Sequence, residues 1–377
     1  MLEIGGKFGD YTVERLLGRG GMGEVYLIRD PLSGADYALK IMTPPKGEDE
    51  HEWRKRFARE ADFAMKVRHR NLIAVHDVGE DPDSGRCWLI MDYMPGGSVA
   101  GRLKDKGRFK VGDAIAIVVQ IASALERAHA AGVVHRDLKP ENILFDAEGV
   151  PHLADLGIAK FSGDAGQTTT FTATGVIIGS PAYMAPEQML DSRQVDGRAD
   201  IYSLGVVFWE MLAGKRPHGD QSVVELMAKA LRGEEVQPVR QVRPDVPEAV
   251  SRLVSVMCAT DRENRPPSAV EVIKLCRQAA SGMRVKVRPR RRRPSRQLAR
   301  GAKVALFLLK AAAALLVFAG GGWLCGYLQG RQLRPQPASS VPATVVRQVA
   351  VTNYVEEVHV VTNFVDLADL EADVRQD

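Results

Sequence analysis

From Tyr11 to Asp92, short apolar runs alternate with turns in the manner of β-strands, and one charged helical stretch around Glu50 to Val67 interrupts them. The pattern then changes period. In "VGDAIAIVVQIASALERAHAAG" the apolar residues Ile115, Val118, Val119, Ala122 and Leu125 recur at helical spacing, and Gly132 closes the run. A strand-rich small lobe followed by a larger helical lobe is the architecture these patterns predict, an α+β fold. A third pattern begins at Val304: of the 25 residues to Leu328 only Lys310 is charged, and the 18 from Ala311 onward carry no charge. At roughly 1.5 Å per residue the longer stretch reaches about 37 Å, enough to cross a hydrocarbon core of about 30 Å with some tilt.

Charge sharpens that reading. The chain has a net charge of +4, yet residues 284–303 alone hold ten Lys/Arg and no Asp/Glu, so the other 357 residues are net acidic. The basic character is therefore one local run ahead of the apolar stretch, and it predicts no nucleic-acid partner. A buried helix of a soluble domain is the alternative for 304–328, but the basic run before it and Pro335 and Pro337 after it favour a single transmembrane helix. Lys310 lies near the basic end, where it can reach the interface. The basic flank should face the cytoplasm, which puts residues 1–303 inside and 329–377 outside. Gly322, Gly326 and Gly330 recur every four residues, a spacing that lets two such helices approach as a homodimer. The N-terminus has no apolar signal run. Cys87, Cys258, Cys276 and Cys325 are scattered without metal-ligand spacing, so neither a disulfide framework nor a zinc site is expected.

Candidate chemistry lies between these landmarks. In "LLGRGGMGEVYLI", Gly18, Gly20 and Gly23 sit between two apolar runs and precede Val25, as in a hairpin turn whose backbone can approach phosphate oxygens. Alone, such a turn is commonly only a turn. "DYALKIM" then places Lys40 in an apolar run, where a lysine needs an anionic partner such as a nucleotide phosphate. Glu60, in the charged helix, is the best carboxylate to hold Lys40, although by itself it reads equally as a solvated helix face. "VVHRDLKPENILF" sets Asp137, Lys139 and Asn142 within six residues: a carboxylate, a cation and a metal-capable amide. Thirteen positions after Asn142, "HLADLGIAK" supplies Asp155, and "SPAYMAPEQ" follows, with Glu187.

Over about Tyr11 to Ala279 these motifs, in this order with "DIYSLGVVFWEMLAGKRP", resemble the eukaryotic-type Ser/Thr protein kinases, and more narrowly the membrane-anchored Ser/Thr kinases of bacteria. The resemblance implies a bilobal fold, with an N-lobe over 11–94 and a C-lobe over 95–279, followed by a basic linker over 280–303. It implies ATP and Mg²⁺ as cofactors and Ser/Thr side chains of proteins as acceptors. Gly18, Gly20 and Gly23 would then cover the phosphates, and Lys40, paired with Glu60, would hold them. Asp137 would take or orient the proton of the attacking hydroxyl, Lys139 would neutralise the moving phosphoryl group, and Asn142 and Asp155 would hold Mg²⁺. Leu17, Val25, Ala38 and Leu144 would enclose the adenine beside the Asp92 to Met94 hinge, with Met91 as gatekeeper. Glu187 with Arg265 and, separately, Asp200 are implied as scaffold, the latter bracing the catalytic loop through backbone hydrogen bonds.

Two positions depart from the family pattern: Leu156 replaces the usual Phe and Ser180 the usual Thr, and both keep the character of the residue they replace. No catalytic polar group is missing, which weighs against a silent receptor scaffold. The pattern around "SPAYMAPEQ" weighs against a small-molecule phosphotransferase. Between Asp155 and Glu187, "GQTTTFTATGVIIGS" is polar and rich in threonine, so Thr172 and Thr174, then Thr168 to Thr170, are the expected autophosphorylation sites, with Arg136 expected as an unpaired cation for a phosphothreonine. The basic run can also attract anionic lipid headgroups, and Ser295 within it is a candidate modification site. Residues 329–377 carry a ten-residue repeat, Val351–Val355 against Val361–Val365, that fits both a heptad and a strand pattern and suits self-association or partner contact.

Overall fold

The computed structural model describes residues 2–20, 23–44, 49–81, 84–156, 181–190, 195–219 and 221–282. Its small lobe is one antiparallel sheet of β1 (Lys7–Phe8), β2 (Tyr11–Gly20), β3 (Gly23–Arg29), β4 (Asp36–Met42), β5 (Val75–Glu80) and β6 (Cys87–Asp92), in the order β1-β2-β3-β4-β6-β5. Helix α1 (Glu50–Lys66) interrupts the strands where the charged stretch was read. Both faces of the sheet are covered, so β4 is buried continuously from Ala38 to Met42 and its period of two is hidden in the sequence. On the outer face Leu39 and Ile41 pack with Val13, Tyr26, Ile28 and Ile90. On the inner face Ala38 and Met42 pack with Leu89 and Met91, and with Trp53, Phe57, Ala61 and Ala64 of α1, whose spacing of four, four and three keeps them on one side of the helix. Lys40 falls between Ala38 and Met42 and shares their inward direction.

The large lobe holds α2 (Val99–Lys106), α3 (Val111–Ala130), a ribbon of β7 (Ile143–Phe145) with β8 (Pro151–Leu153), α4 (Pro186–Leu190), α5 (Arg198–Ala213), α6 (Val223–Arg232), α7 (Glu248–Met257) and α8 (Ala269–Ala280). Helix α5 buries thirteen of its sixteen residues and runs through the core, apolar on every side. At Gly205 a Cβ would lie 2.7 Å from the Cβ of Met257 and 2.9 Å from the Sγ of Cys258, so the absent side chain is what lets α5 approach α7. The stripe on α3 is rotated from the one read in the sequence: Ala114, Ile117, Val118, Ile121, Ala122, Ala124, Leu125 and Ala128 are buried, whereas Ile115 and Val119 are at its edge. Periodicity weighted the large residues, but the alanines allow α3 to lie close to α5 and α8. Just beyond α3, Gly132 (φ +79°) donates to the His129 carbonyl at 2.9 Å, closing the helix as read.

The β7–β8 ribbon joins the lobes. Leu153 donates to the Asn71 carbonyl at 2.8 Å, and Ile73 donates back to the Leu153 carbonyl at 3.1 Å. Among the described residues no helix is long and apolar enough to cross a membrane. Residues 304–328, the threonine-rich segment with Thr172, Thr174 and Ser180, and the repeat near the C-terminus lie outside the described residues.

Candidate active site

Among the described residues two non-glycines have left-handed backbone, Arg136 (φ +67°) and Asp155 (φ +58°), and they flank the same cleft. That conformation persists only where surrounding bonds over-determine it. At Arg136 those bonds come from Asp200, whose buried carboxylate accepts from the backbone N–H of His135 (2.9 Å) and of Arg136 (2.8 Å) and pairs with His129 Nε2 (2.7 Å). The Arg136 carbonyl accepts from Gln188 at 3.1 Å. Asp200 therefore braces this loop as the resemblance implied. Arg136 is not the free cation expected from the sequence: it already has an interaction partner.

Inside the braced loop, Asp137 Oδ2 accepts from Lys139 Nζ at 2.7 Å and from Asn142 Nδ2 at 3.3 Å, and Asn142 Nδ2 also donates to the Asp137 carbonyl at 2.8 Å. The three polar groups read from one motif thus converge. His135, also in that motif but given no role from the sequence, is buried beneath them. Its Nε2 bonds the Ala154 carbonyl at 2.8 Å, an acceptor, so Nε2 carries the proton; Nδ1 is then free to accept from the Asp137 backbone N–H at 3.3 Å. One imidazole so links the loop carrying Asp137 to the strand end carrying Asp155.

Lys40 reaches across the cleft, and its Nζ donates to Asp155 Oδ1 at 2.7 Å, so the partner described for this lysine is Asp155. Glu60 is on α1 as read, but its side chain lies outside the described residues. Burial pushes the Asp155 carboxyl up, and the charge and hydrogen bond of Lys40, helped by His135 and Lys139, outweigh it and hold the group below the usual carboxylate range. Leu156 keeps an apolar anchor beside it, lining a cavity with Ala64, Val67, Leu72, Val75 and Met91.

Above this cleft, β2 and β3 pair Gly18 with Val25 and Gly20 with Gly23, so the glycines form the end of a hairpin. Nothing lies within 4 Å of a Cβ built on Gly18 or Gly20, whereas one on Gly23 (φ +133°) would strike the Ile41 carbonyl. Leu17 and Val25 pack on the cluster that holds Ala38 and Met91, which gathers most of the expected adenine enclosure on the inner sheet face. Leu144 comes from β7 and is bridged to Ser98, next to the chain that leaves the sheet. Met94 is half-buried in that connection, and Asp92 turns its carboxylate to the Ala74 N–H (3.1 Å) and to His76 (2.6 Å).

Chemically, the cleft offers one carboxylate for a hydroxyl proton, two lysines for phosphate charge, and hard oxygen donors on Asp155 and Asn142. Because Asn142 spends its NH₂ on Asp137, its carbonyl oxygen is the atom left for a metal. Among the described residues no group of three or more His, Cys, Asp or Glu could hold a metal. A carboxylate and an amide suit a cation that keeps several waters and shares phosphate oxygens, which is the habit of Mg²⁺.

Residues 11–275 match the family described as protein kinase domain. Serine/threonine-protein kinase PknD of Mycobacterium tuberculosis is 41% identical over 71% of this chain and 39% of its own. Serine/threonine-protein kinase PknH of Mycobacterium bovis is 37% identical over 74% of this chain and 45% of its own. The chain so aligns with less than half the length of these relatives. The crystal structure of the Mycobacterium tuberculosis PknI kinase domain superposes with a TM-score of 0.57 at 32% identity, covering 74% of this chain and 99% of that one.

Proposed function

This chain belongs to the protein kinase family, and we propose that it transfers the γ-phosphate of ATP to serine and threonine side chains of proteins. The observation that carries the reading is the convergence of Lys139 and Asn142 on the Asp137 carboxylate, set in a loop braced by Asp200 and facing Lys40 and Asp155. Phosphoryl transfer asks little covalent chemistry of a protein, so positioning and charge neutralisation dominate. Asp137 orients the acceptor hydroxyl and takes its proton. Lys139, already bonded to Asp137, offers its charge to the moving phosphoryl group. Lys40 steadies the other phosphates beneath the turn of Gly18, Gly20 and Gly23. Leu17, Val25, Ala38, Leu144 and Met91 enclose the adenine next to Asp92 and Met94, and Glu60 is assigned to Lys40. Asn142 and Asp155 would hold Mg²⁺, which supplies neutralisation of phosphate charge when bound.

In this reading the catalytic domain spans 11–279, the linker 280–303 meets anionic lipid, 304–328 crosses the membrane once, and 329–377 lies outside. Relatives named as Ser/Thr kinases and the basic run ahead of an apolar stretch support it. The test uses the full chain in detergent beside Asp137→Asn, each incubated with ATP and Mg²⁺ and read by intact mass with site mapping. Phosphate on Thr172 or Thr174 of the wild type alone is expected. A wild type that binds ATP but labels neither itself nor a generic Ser/Thr acceptor gives the silent scaffold precedence. Membrane insertion is tested separately: resistance to alkaline extraction should disappear when 304–328 is deleted.

A further inference from the structure

The glycine turn is braced from the side of the sheet that faces away from the cleft. Glu24, next to Gly23, lies directly opposite Arg19 across the β2–β3 hairpin, and Arg19 stands between Gly18 and Gly20. The Glu24 side chain shares the outer face with Tyr26 and Ile28, because it is two and four residues from them on one strand. On that face its carboxylate is nearly buried and accepts from Arg19 through Nε at 3.0 Å and through Nη2 as well. The Tyr26 hydroxyl donates to the other carboxylate oxygen at 2.8 Å and accepts from the Leu2 backbone N–H at 3.1 Å. Arg86, at the entry to β6, lies 3.7 Å away. Arg19 first, then Tyr26, hold the carboxyl below its usual range against the upward push of burial, so Glu24 is an anion at neutral pH.

The consequence follows from register. Glu24 pairs with Ile41 and its neighbour Val25 with Lys40, so the brace is anchored in the strand that carries the phosphate-holding lysine. A turn with glycines at Gly18, Gly20 and Gly23 has backbone freedom to spare, and the glycines themselves have no side chains to fix its height above the cleft. An arginine between two of the glycines, tied to a buried carboxylate, supplies that restraint. We propose that Glu24 is a positioning residue for nucleotide binding: through Arg19 it holds the glycine turn at a fixed distance from Lys40. The inference rests on the kinase reading above.

The test measures ATP affinity by calorimetry and KM and kcat for ATP with the full chain, in wild type, Arg19→Ala, Glu24→Gln and the double variant. Arg19 is 54% exposed in its side chain and its removal leaves Tyr26 donating to Glu24, so the melting temperature is read beside affinity in every variant. Each single variant should raise KM and Kd for ATP by about tenfold, with kcat changed far less, since the charge-assisted pairing of Arg19 with Glu24 is lost. The double variant should be no worse than either single one, because both remove the same restraint. An unchanged Kd in Arg19→Ala, or effects that add, overturns the proposal, and so does a Glu24→Gln protein that melts earlier yet binds ATP normally. Wild type that binds no nucleotide overturns the kinase reading itself, and this inference with it.

Discussion

Removing the Glu187 carboxylate should lower the melting temperature more than any surface substitution, and the reason can be read from the Arg265 side chain. Its guanidinium is fully buried and donates to both Glu187 oxygens at 2.6 and 2.8 Å, to the Ala259 carbonyl at 2.7 Å, to Arg198 at 3.0 Å and to Thr260 at 3.2 Å, with its plane against Tyr202. In Glu187→Ala the carbonyls remain but the counter-charge is gone, leaving the buried guanidinium with no carboxylate among its described hydrogen-bond partners. Breaking one partner of such a pair destabilises by about 3–5 kcal/mol. For a lobe of this size, at roughly 2–4 °C per kcal/mol, that corresponds to a Tm lower by about 6–20 °C. The full chain in detergent, followed by tryptophan fluorescence through the buried Trp53 and Trp209, reports it. Arg265→Met with Glu187→Leu, which removes both charges, should recover much of the loss. A Glu187→Ala protein within about 2 °C of wild type would refute the reasoning, because the guanidinium would then have found a compensating partner that the packing does not provide.

Asp137→Asn should keep ATP affinity while lowering kcat by about 10²–10⁴, measured by single-turnover phosphate transfer, because proton acceptance is removed but every phosphate contact stays. Gly205→Ala should destabilise by about 1–3 kcal/mol in thermal unfolding, since its methyl would fall 2.7 Å from Met257 Cβ on a buried helix with no room to shift. The lobe bridge has a defined pH window. Lys40 holds the Asp155 carboxyl below its ordinary value, so the stabilisation is fully present above the unfolded carboxylate pKa of about 3.9 and is lost as pH falls through the lower folded value. The difference in Tm between wild type and Asp155→Asn should therefore be flat from about pH 5 to 8 and shrink only in stronger acid, and a change near neutrality would contradict the assignment.

What could be read from the sequence, and what could not, divides by the range of the interaction. Motif spacing brought Asp137, Lys139 and Asn142 together correctly, because they lie within one tight loop and the chain between them leaves few ways to arrange them. Helix α1 was legible as an interruption of strands by charge, whereas β4 was not legible as alternating, since its two faces are buried against different clusters. The inward stripe of α3 was misplaced for a similar reason: hydrophobic size does not reveal where alanines admit a neighbouring helix. Partners set by the three-dimensional path were beyond reach. Nothing local marks His135 as the link between the Asp137 N–H and the Ala154 carbonyl, or His129 as a third group on Asp200. The same holds for Arg136, whose interaction could not be read from its neighbours in the sequence. Left-handed backbone at Arg136 and Asp155 is the sharper lesson: arginine does not favour it and aspartate adopts it only in a minority of cases, so strain there cannot be inferred from composition, yet it is stabilised by the bonds that make the loop rigid. A site can therefore be named from its motif, but its stiffness, on which positioning catalysis depends, is decided by distant residues such as Asp200.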